Sequence, residues 1–380
     1  MPLQPPRATR LARHGLPVDT LTHALSGALL ARATAPAPAS TAIPLRRRVV
    51  LGALAAAFPD SEVVVSWLSP LAYLYHHRGV THSLVMLGVW ALVLAWLCAK
   101  IWRGADSQAP GWRAYFGVIA MGIGIHIAGD WITAFGTMMF APLSDWRAAI
   151  STTFIIDLWF SGIIIGGLLA SWVWRTSKYA RWPAVAGLAV LCSYVVLQFA
   201  MQQRAMDFGR QYARANGLSA SAVTALPRPL SPFNWMVVVD THSQYHYSHV
   251  SLTARHAPAP LTPDAGLFAK LGAPYLPLSQ AQWQRADQLG GEGDKALARE
   301  VLLHPQFGFF RWFAQFPVLY RIDRSASSTC AWFQDLRFFT PGRATWPFRY
   351  GMCRDGANAD GEWRAYELLG DNSDSKISVH

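Results

Sequence analysis

Apolar positions run in long blocks through the first half of the chain and break into short runs in the second. Residues 80–99 carry only His82 as an ionisable group, 114–144 only His126 and Asp130, 148–174 only Asp157, and 183–203 none. A helix rises about 1.5 Å per residue, so each block can cross a hydrocarbon layer roughly 30 Å thick. A fifth block, 49–68, is interrupted by Phe58-Pro59-Asp60-Ser61-Glu62 and reads as a broken span or a re-entrant element. From about residue 204, Pro, Gly, Gln and Ser become frequent and acidic residues ordinary. Strand-like runs follow at 235–239, 245–251, 318–322, 330–333, 336–340 and 363–368, while 280–304 reads as one or two short helices. The pattern predicts a mainly α-helical membrane domain of four or five spans followed by a soluble α+β domain. The expected divisions are 1–48, a basic N-terminal arm with a first motif helix; 49–203, the membrane helices; and 204–380, a sheet-containing domain.

Composition agrees with a membrane protein. The chain is 52% hydrophobic and 14% charged, against roughly 25% charged for soluble proteins. Disorder, a coiled coil and a disulfide-dense secreted scaffold are excluded. The net charge of +11 would suggest nucleic acid, but its placement argues otherwise. Arg7, Arg10, Arg13, Arg32 and Arg46-Arg47-Arg48 form the basic arm, set against Asp19. No uninterrupted apolar core follows the early arginines, so no cleaved signal peptide is expected. Lys100, Arg103 and Arg113 mark one connection between blocks, and Arg175, Lys178 and Arg181 another; in the connection between these two, Asp145 offsets Arg147. By the positive-inside rule the first two connections face the cytoplasm and the tail after 203 faces outward. No basic patch interleaved with aromatics appears, so nucleic acid is not expected as a partner. Cys98 and Cys192 fall within spans; Cys330 and Cys353 lie in the tail, where an oxidising compartment would let them pair and a cytoplasmic one would not.

Ionisable groups within apolar segments are costly and usually functional. Here they are Asp19 and His23, Asp60 and Glu62, His76, His77 and His82, His126 and Asp130, then Asp157. Asp19/His23 and His126/Asp130 are each spaced i, i+4, which puts both side chains on one helix face. Imidazole beside carboxylate is a natural grip for zinc or manganese. Pro59 frees backbone before Asp60, and Gly79 allows a turn through which His77 and His82 could reach one point. Arg78, with a planar fork suited to phosphate, could neutralise an anionic substrate group. Plainer roles exist for several of these: Asp19 as a helix N-cap, Asp157 as a helix-pairing or ligand-orienting carboxylate, and His76 or Glu62 as ligand, supporting group or neither. Three histidines and two aspartates on four segments are hard to explain by packing.

The motifs Asp19-Thr-Leu-Thr-His23-Ala-Leu-Ser-Gly27, Phe58-Pro59-Asp60-Ser61-Glu62, His77-Arg78-Gly79-Val80-Thr81-His82-Ser83 and His126-Ile-Ala-Gly-Asp130 resemble, in that order, the YdjM/YbcI-type family. Those are bacterial inner-membrane proteins classed as metal-dependent hydrolases. A fainter similarity is to zinc-dependent phospholipase C and the fungal zinc nucleases. The resemblance implies an inner-membrane protein, which the spans and charge count above make multi-pass with an extracytoplasmic C-terminal domain. On the phospholipase analogy His23, Asp60, His77 or His82, His126 and Asp130 would hold one or two divalent ions, with both His77 and His82 among the ligands that the residues themselves suggest. The zinc phospholipase pattern is departed from in two ways: there is no N-terminal amine ligand, and no His-rich helix follows Asp130.

The expected activity is a metal-activated water attacking an ester or phosphoester of an amphiphilic or lipid-like substrate, phosphoester being favoured. Asp60 would bridge ions or take a proton, Arg78 would steady the substrate, and Glu62, Asp19 and Asp157 would orient imidazoles. Two other classes use the same residues. A transporter would pass a cation or proton along them, with a homo-oligomer supplying further helices, and a non-enzymatic sensor or assembly protein would hold a structural metal. Sites opening to the aqueous boundary favour hydrolysis; sites lining a path across the bilayer favour transport.

Overall fold

The computed structural model describes residues 16–36, 43–67, 70–105, 110–177, 179–262, 264–325, 327–341, 347–355, 361–370 and 376–379. Arg7, Arg10, Arg13 and Lys178, assigned above to the basic arm and a cytoplasmic connection, lie outside these residues. The chain divides into two units that change over between Phe199 and Ala200.

The first unit contains helices α1 (Leu16–Ala33), α2 (Leu45–Ala57), α3 (Pro70–His76), α4 (Leu84–Ala105), α5 (Trp112–Trp131) and α6 (Leu158–Val173). It also takes the first part of α7 (Trp182–Ala215). Pro59 ends α2, and the chain continues as a 3-10 helix over Pro59–Trp67, so the block at 49–68 is broken where the sequence indicated. Among the described residues three helices are long and apolar enough to cross a membrane: Leu84–Gly104, Trp112–Trp131 and Trp182–Ala215. This is fewer than the four or five spans expected. The block at 148–174 is helical only over the 16 residues of α6, and that at 114–144 only as far as Trp131.

Both differences have one cause. Residues 132–153 fold back on themselves and on the end of α5: Thr152 and Thr153 N–H donate to the Ile132 carbonyl, Ile150 N–H to that of Trp131, and Thr137 pairs with Ala148 in both directions. A loop closed in this way can be apolar without being a span. Asp157 then starts α6 by accepting from the Trp159 and Phe160 N–H groups.

Small residues bring three helices unusually close. A Cβ at Gly27 of α1 would fall 2.2 Å from the Gly52 carbonyl oxygen of α2, and one at Gly122 of α5 would fall 2.6 Å from the Ala55 Cβ. Only glycine permits such approach, as in close-packed membrane helices. Around this seam Leu51, Ala55, Tyr115, Val118, Ile119 and Ile123 form a buried core with Ala91 and Ala95 of α4. The opposite faces are apolar too: Val89, Leu92, Trp96 and Ile101 on α4, and Val190, Val196 and Phe199 on α7, are exposed. In water such faces would be a liability, whereas in lipid they are the expected surface. Trp96 lies under Lys100, Trp112 beside Arg113, Trp172 beside Arg175 and Trp182 beside Arg181, the pairing typical of membrane interfaces.

The second unit has two five-stranded sheets. The first combines β1 (Ala222–Pro227), β2 (Asn234–Asp240) and β3 (Gln244–Ser251), antiparallel in turn, with β4 (Leu276–Pro277) and β5 (Gln284–Asp287) both on the far edge of β3. Helices α8 (Leu267–Gly272), α9 (Lys295–Leu303) and α10 (Gly308–Phe313) precede the second sheet. That sheet runs β10-β9-β8-β7-β6, from β6 (Pro317–Arg324), β7 (Ser328–Asp335), β8 (Tyr350–Asp355), β9 (Arg364–Leu368) and β10 (Lys376–Ser378). Cys330 and Cys353 face each other across β7 and β8 and are joined in a disulfide. Two readings of this unit need correction. Residues 336–340 are not a strand, because the Asp335 carboxylate accepts from Arg337 N–H and caps a 3-10 turn. Residues 280–304 are not all helical either, since Gln284–Asp287 pairs with β3 and only Lys295–Leu303 forms a helix of length.

Candidate metal centre

Four pieces of chain meet at one end of the α4/α5 pair. The first turns of α1 bring Asp19 and His23. The break after α2 brings Asp60 and Glu62, and the turn before α4 brings His77, Arg78 and His82. The last turns of α5 bring His126 and Asp130. The turn has an unusual backbone. Arg78 is a non-glycine residue at φ 62°, a region that costs energy unless its surroundings impose it. The surroundings do: its N–H donates to Glu62 Oε1 at 2.6 Å, and its carbonyl accepts from Met138 N–H at 2.9 Å.

Asp130 is the hub. Its Oδ2 lies 3.2 Å from His82 Nε2 and 3.4 Å from His126 Nε2, and its Oδ1 lies 3.2 Å from His23 Nε2. Asp60 Oδ1 adds a second carboxylate oxygen, 3.7 Å from His82 Nε2 and 3.6 Å from His126 Nε2. Despite these distances, His23 Nε2, His82 Nε2, His126 Nε2 and Asp130 Oδ2 are buried without a hydrogen-bond partner, while Asp130 Oδ1 has the Arg78 guanidinium 3.0 Å away. Buried polar atoms are rarely left so. Four in one place, three imidazole nitrogens facing a carboxylate oxygen, have the donor chemistry that a divalent cation takes. Ligand atoms around a tetrahedral ion at 2.0–2.1 Å lie about 3.3 Å apart, close to the spacing found. The residues present therefore fit a divalent metal. Ligand-atom groups close enough for one ion are His23/Asp60/His126, His82/His126/Asp130 and Asp19/His23/Asp130.

The surrounding bonds fix which nitrogen each ring offers. His126 Nδ1 is 2.6 Å from the Ala56 carbonyl oxygen, which can only accept, so the proton sits on Nδ1 and Nε2 is left as the acceptor. His82 reaches a carboxylate through a hydroxyl. Its Nδ1 lies 3.0 Å from Thr81 Oγ1, and that hydroxyl donates to Glu62 Oε2 at 2.5 Å. Asp60 is aimed in the same way, its Oδ2 accepting from Thr20 Oγ1 at 2.7 Å and its Oδ1 turned inward. Gly129 lets His23 lie against α5, where a Cβ would stand 3.0 Å from the imidazole.

Three of the residues singled out from the sequence stand otherwise than expected. His77 stands outside these groups; its Nδ1 bonds to Glu62 Oε1 at 2.9 Å and its ring stacks on Tyr73. Arg78 is 2% exposed and already engaged, with Thr133 Oγ1 at 2.6 Å, Asp130 Oδ1 at 3.0 Å and Asp19 Oδ2 at 3.5 Å. It is a fixed internal cation rather than an open substrate clamp. Asp157 lies elsewhere, capping α6 and accepting from Tyr194 and Gln198. Sequence reasoning did not single out Thr20, Thr81, Thr133 or the Ala56 carbonyl. For Thr20 and Thr81 a signal existed, since each sits next to a site residue, Asp19 and His82.

Residues 18–205 match the family model described as YdjM inner membrane protein, so the resemblance read from the motifs holds over the first unit. A relative from Bacillus subtilis (strain 168), the uncharacterized protein YfhP, is 23% identical over 189 residues. That alignment covers 49% of this chain and 55% of YfhP, so the chain spans about half the length of the relative it matches. No solved structure matches.

Proposed function

Taking residues 18–205 as a YdjM-type inner-membrane module, we propose that this chain is a membrane-embedded, metal-dependent hydrolase acting on an ester or phosphoester of an amphiphilic substrate. The convergence of unpartnered ligand atoms from His23, His82, His126 and Asp130 carries this reading. A divalent ion, zinc or manganese, would supply a nucleophilic water at neutral pH and stabilise charge developing on the scissile group. His23, His82, His126, Asp130 and Asp60 would hold it. Asp60 and Asp19 are the most open members, with side chains 12% and 21% exposed, so Asp60 is the group placed to take the proton released by the water. Glu62, through Thr81, keeps His82 in the tautomer that ligates. Arg78 balances the negative charge of Asp19 and Asp130.

An amphiphilic substrate suits the rim of the site. Leu21, Val64, Val80 and Leu84 expose apolar side chains, and all neighbour site residues in the chain. The centre also lies at the ends of α4 and α5 rather than midway along them, which favours hydrolysis at an aqueous boundary over transport through the bilayer. These ends are opposite the Lys100–Arg113 connection. If that connection is cytoplasmic, the protein is multi-pass and the centre faces outward, as does the C-terminal unit, whose Cys330–Cys353 disulfide suits an oxidising compartment.

Sealed membrane vesicles test both parts. Right-side-out vesicles carrying the protein should hydrolyse an impermeant short-chain phosphoester or ester supplied outside, and an impermeant chelator should stop them. Inside-out vesicles should act only after detergent opening. No metal-dependent hydrolysis of either class in opened vesicles sinks the enzymatic reading; activity confined to inside-out vesicles reverses the orientation.

A further inference from the structure

A second group of orphaned polar atoms lies in the C-terminal unit, on one face of its first sheet. Arg228 follows β1 and is 4% exposed. Its guanidinium donates to the Arg337 carbonyl at 3.0 Å and contacts Met236 Sδ, and its Nε has no partner. Met236 of β2 is paired in register with His249 of β3, so the two side chains share a face. His249 Nε2 is likewise buried without a partner, and the Tyr275 ring, its hydroxyl equally orphaned, lies against His249 with centroids 6.0 Å apart. The carboxylate nearest in sequence to these contacts, Asp335, is consumed elsewhere: it accepts from the N–H groups of Gln315, Phe316 and Arg337 and from Arg337 Nε.

A buried guanidinium bonded only to a neutral carbonyl and a thioether has no direct ion pair, and Asp335 offsets its charge only from a distance. Such charges are costly unless paired, and a planar guanidinium is the usual partner of phosphate or carboxylate. Burial pushes the arginine down to about 10 and His249 down to about 3. An imidazole kept neutral beside a guanidinium can donate a hydrogen bond to an anion without adding charge. In the same unit an open apolar cavity of about 520 Å³ is lined by Pro258, Pro260, Leu261, Ala269 and Ala273. Its Gly272 edge faces Leu230 Cδ1 at 3.9 Å from a Cβ position. Ala273, on its wall, precedes Tyr275 by two residues, and Leu230, which packs near its Gly272 edge, follows Arg228 by two.

We propose that Arg228, His249 and Tyr275 form an oxyanion-binding site that takes a phosphate or carboxylate headgroup, with the attached apolar chain in the neighbouring cavity. The site is separate from the metal centre and stands or falls without it.

The test uses the full chain in detergent, with unfolding temperature and calorimetric binding as readouts at constant ionic strength. One arm supplies inorganic phosphate, the other a single-chain lysophosphatidic acid. Both should raise the unfolding temperature above a chloride control, the lipid at concentrations at least tenfold lower. Arg228→Met should abolish both shifts while leaving the ligand-free protein at least as stable, because an unpaired buried charge is removed. Should that variant fail to fold, Tyr275→Phe, which removes one hydroxyl, should weaken binding about tenfold. Phosphate binding without any gain from the acyl chain would confine the site to free oxyanions and overturn the headgroup assignment. No shift in the wild type, or equal shifts in wild type and Tyr275→Phe, would overturn the site.

Discussion

At His82 the chemistry of the ring is decided by atoms outside it. The Thr81 hydroxyl donates to Glu62 and so accepts a hydrogen bond from His82 Nδ1–H, which leaves the lone pair on Nε2 to point at the centre. Groups that hold a ligand in this way typically contribute 10–100-fold in metal affinity. Thr81→Ala should therefore weaken metal binding by about that factor with the fold intact, as measured by competition with a chromophoric chelator; unchanged affinity would show the relay to be idle. A residue of the other unit sets a pH dependence. Glu367 on β9 is 8% exposed, and burial raises its carboxyl from 4.5 to about 7. The neutral form is the one the fold accommodates. Its contribution is complete below about pH 4.5 and is lost as pH rises through about 7, amounting to about 3 kcal/mol at most. Glu367→Gln should flatten the fall in unfolding temperature between pH 5 and 8; an equal slope in both proteins would contradict this.

Helix packing delivers the ligands. α1, α2 and α5 approach through Gly27, Gly52 and Gly122, and this seam sets His23, the Ala56 carbonyl, Asp60 and His126 within reach of one another. Gly27→Val would drive side-chain atoms into the Gly52 backbone. It should cost about 1–3 kcal/mol or more and lower metal content with it. Gly88→Ala, where a Cβ meets nothing within 4 Å, should do neither. Loss of stability with full metal content would separate the seam from the site. At this scale the sequence was informative where a local residue decides the outcome: Pro59 breaking α2, and Gly79 permitting the turn to His82. It misled where tertiary bonding decides. Residues 132–153 are apolar yet close on themselves through Ile132, Thr137 and Ala148, and hydropathy does not distinguish such a loop from a span. The edge strand Gln284–Asp287 likewise exists because β3 offers it a partner, and β1 and β8 carried no alternation clear enough to be read.

The whole molecule joins a lipid-facing helical unit to a two-sheet unit, and the contrast in composition made that division readable. The residues of the candidate metal site were legible because ionisable groups stand out in apolar surroundings. Their supports were not, since threonines and a main-chain carbonyl look the same in any helix. Arg78 shows the limit from the other side: its presence near the site was evident, but its engagement with Asp19, Asp130 and Thr133 depends on three segments that only folding brings together. The central claim is that these segments meet in order to hold a metal. It is tested most directly by elemental analysis of the full chain purified in detergent, beside His126→Ala and Asp130→Asn. The account predicts at least one equivalent of zinc or manganese in the wild type and its loss in both variants while they remain folded. A metal-free wild type that takes up no added zinc or manganese, or variants that retain full metal, would contradict it.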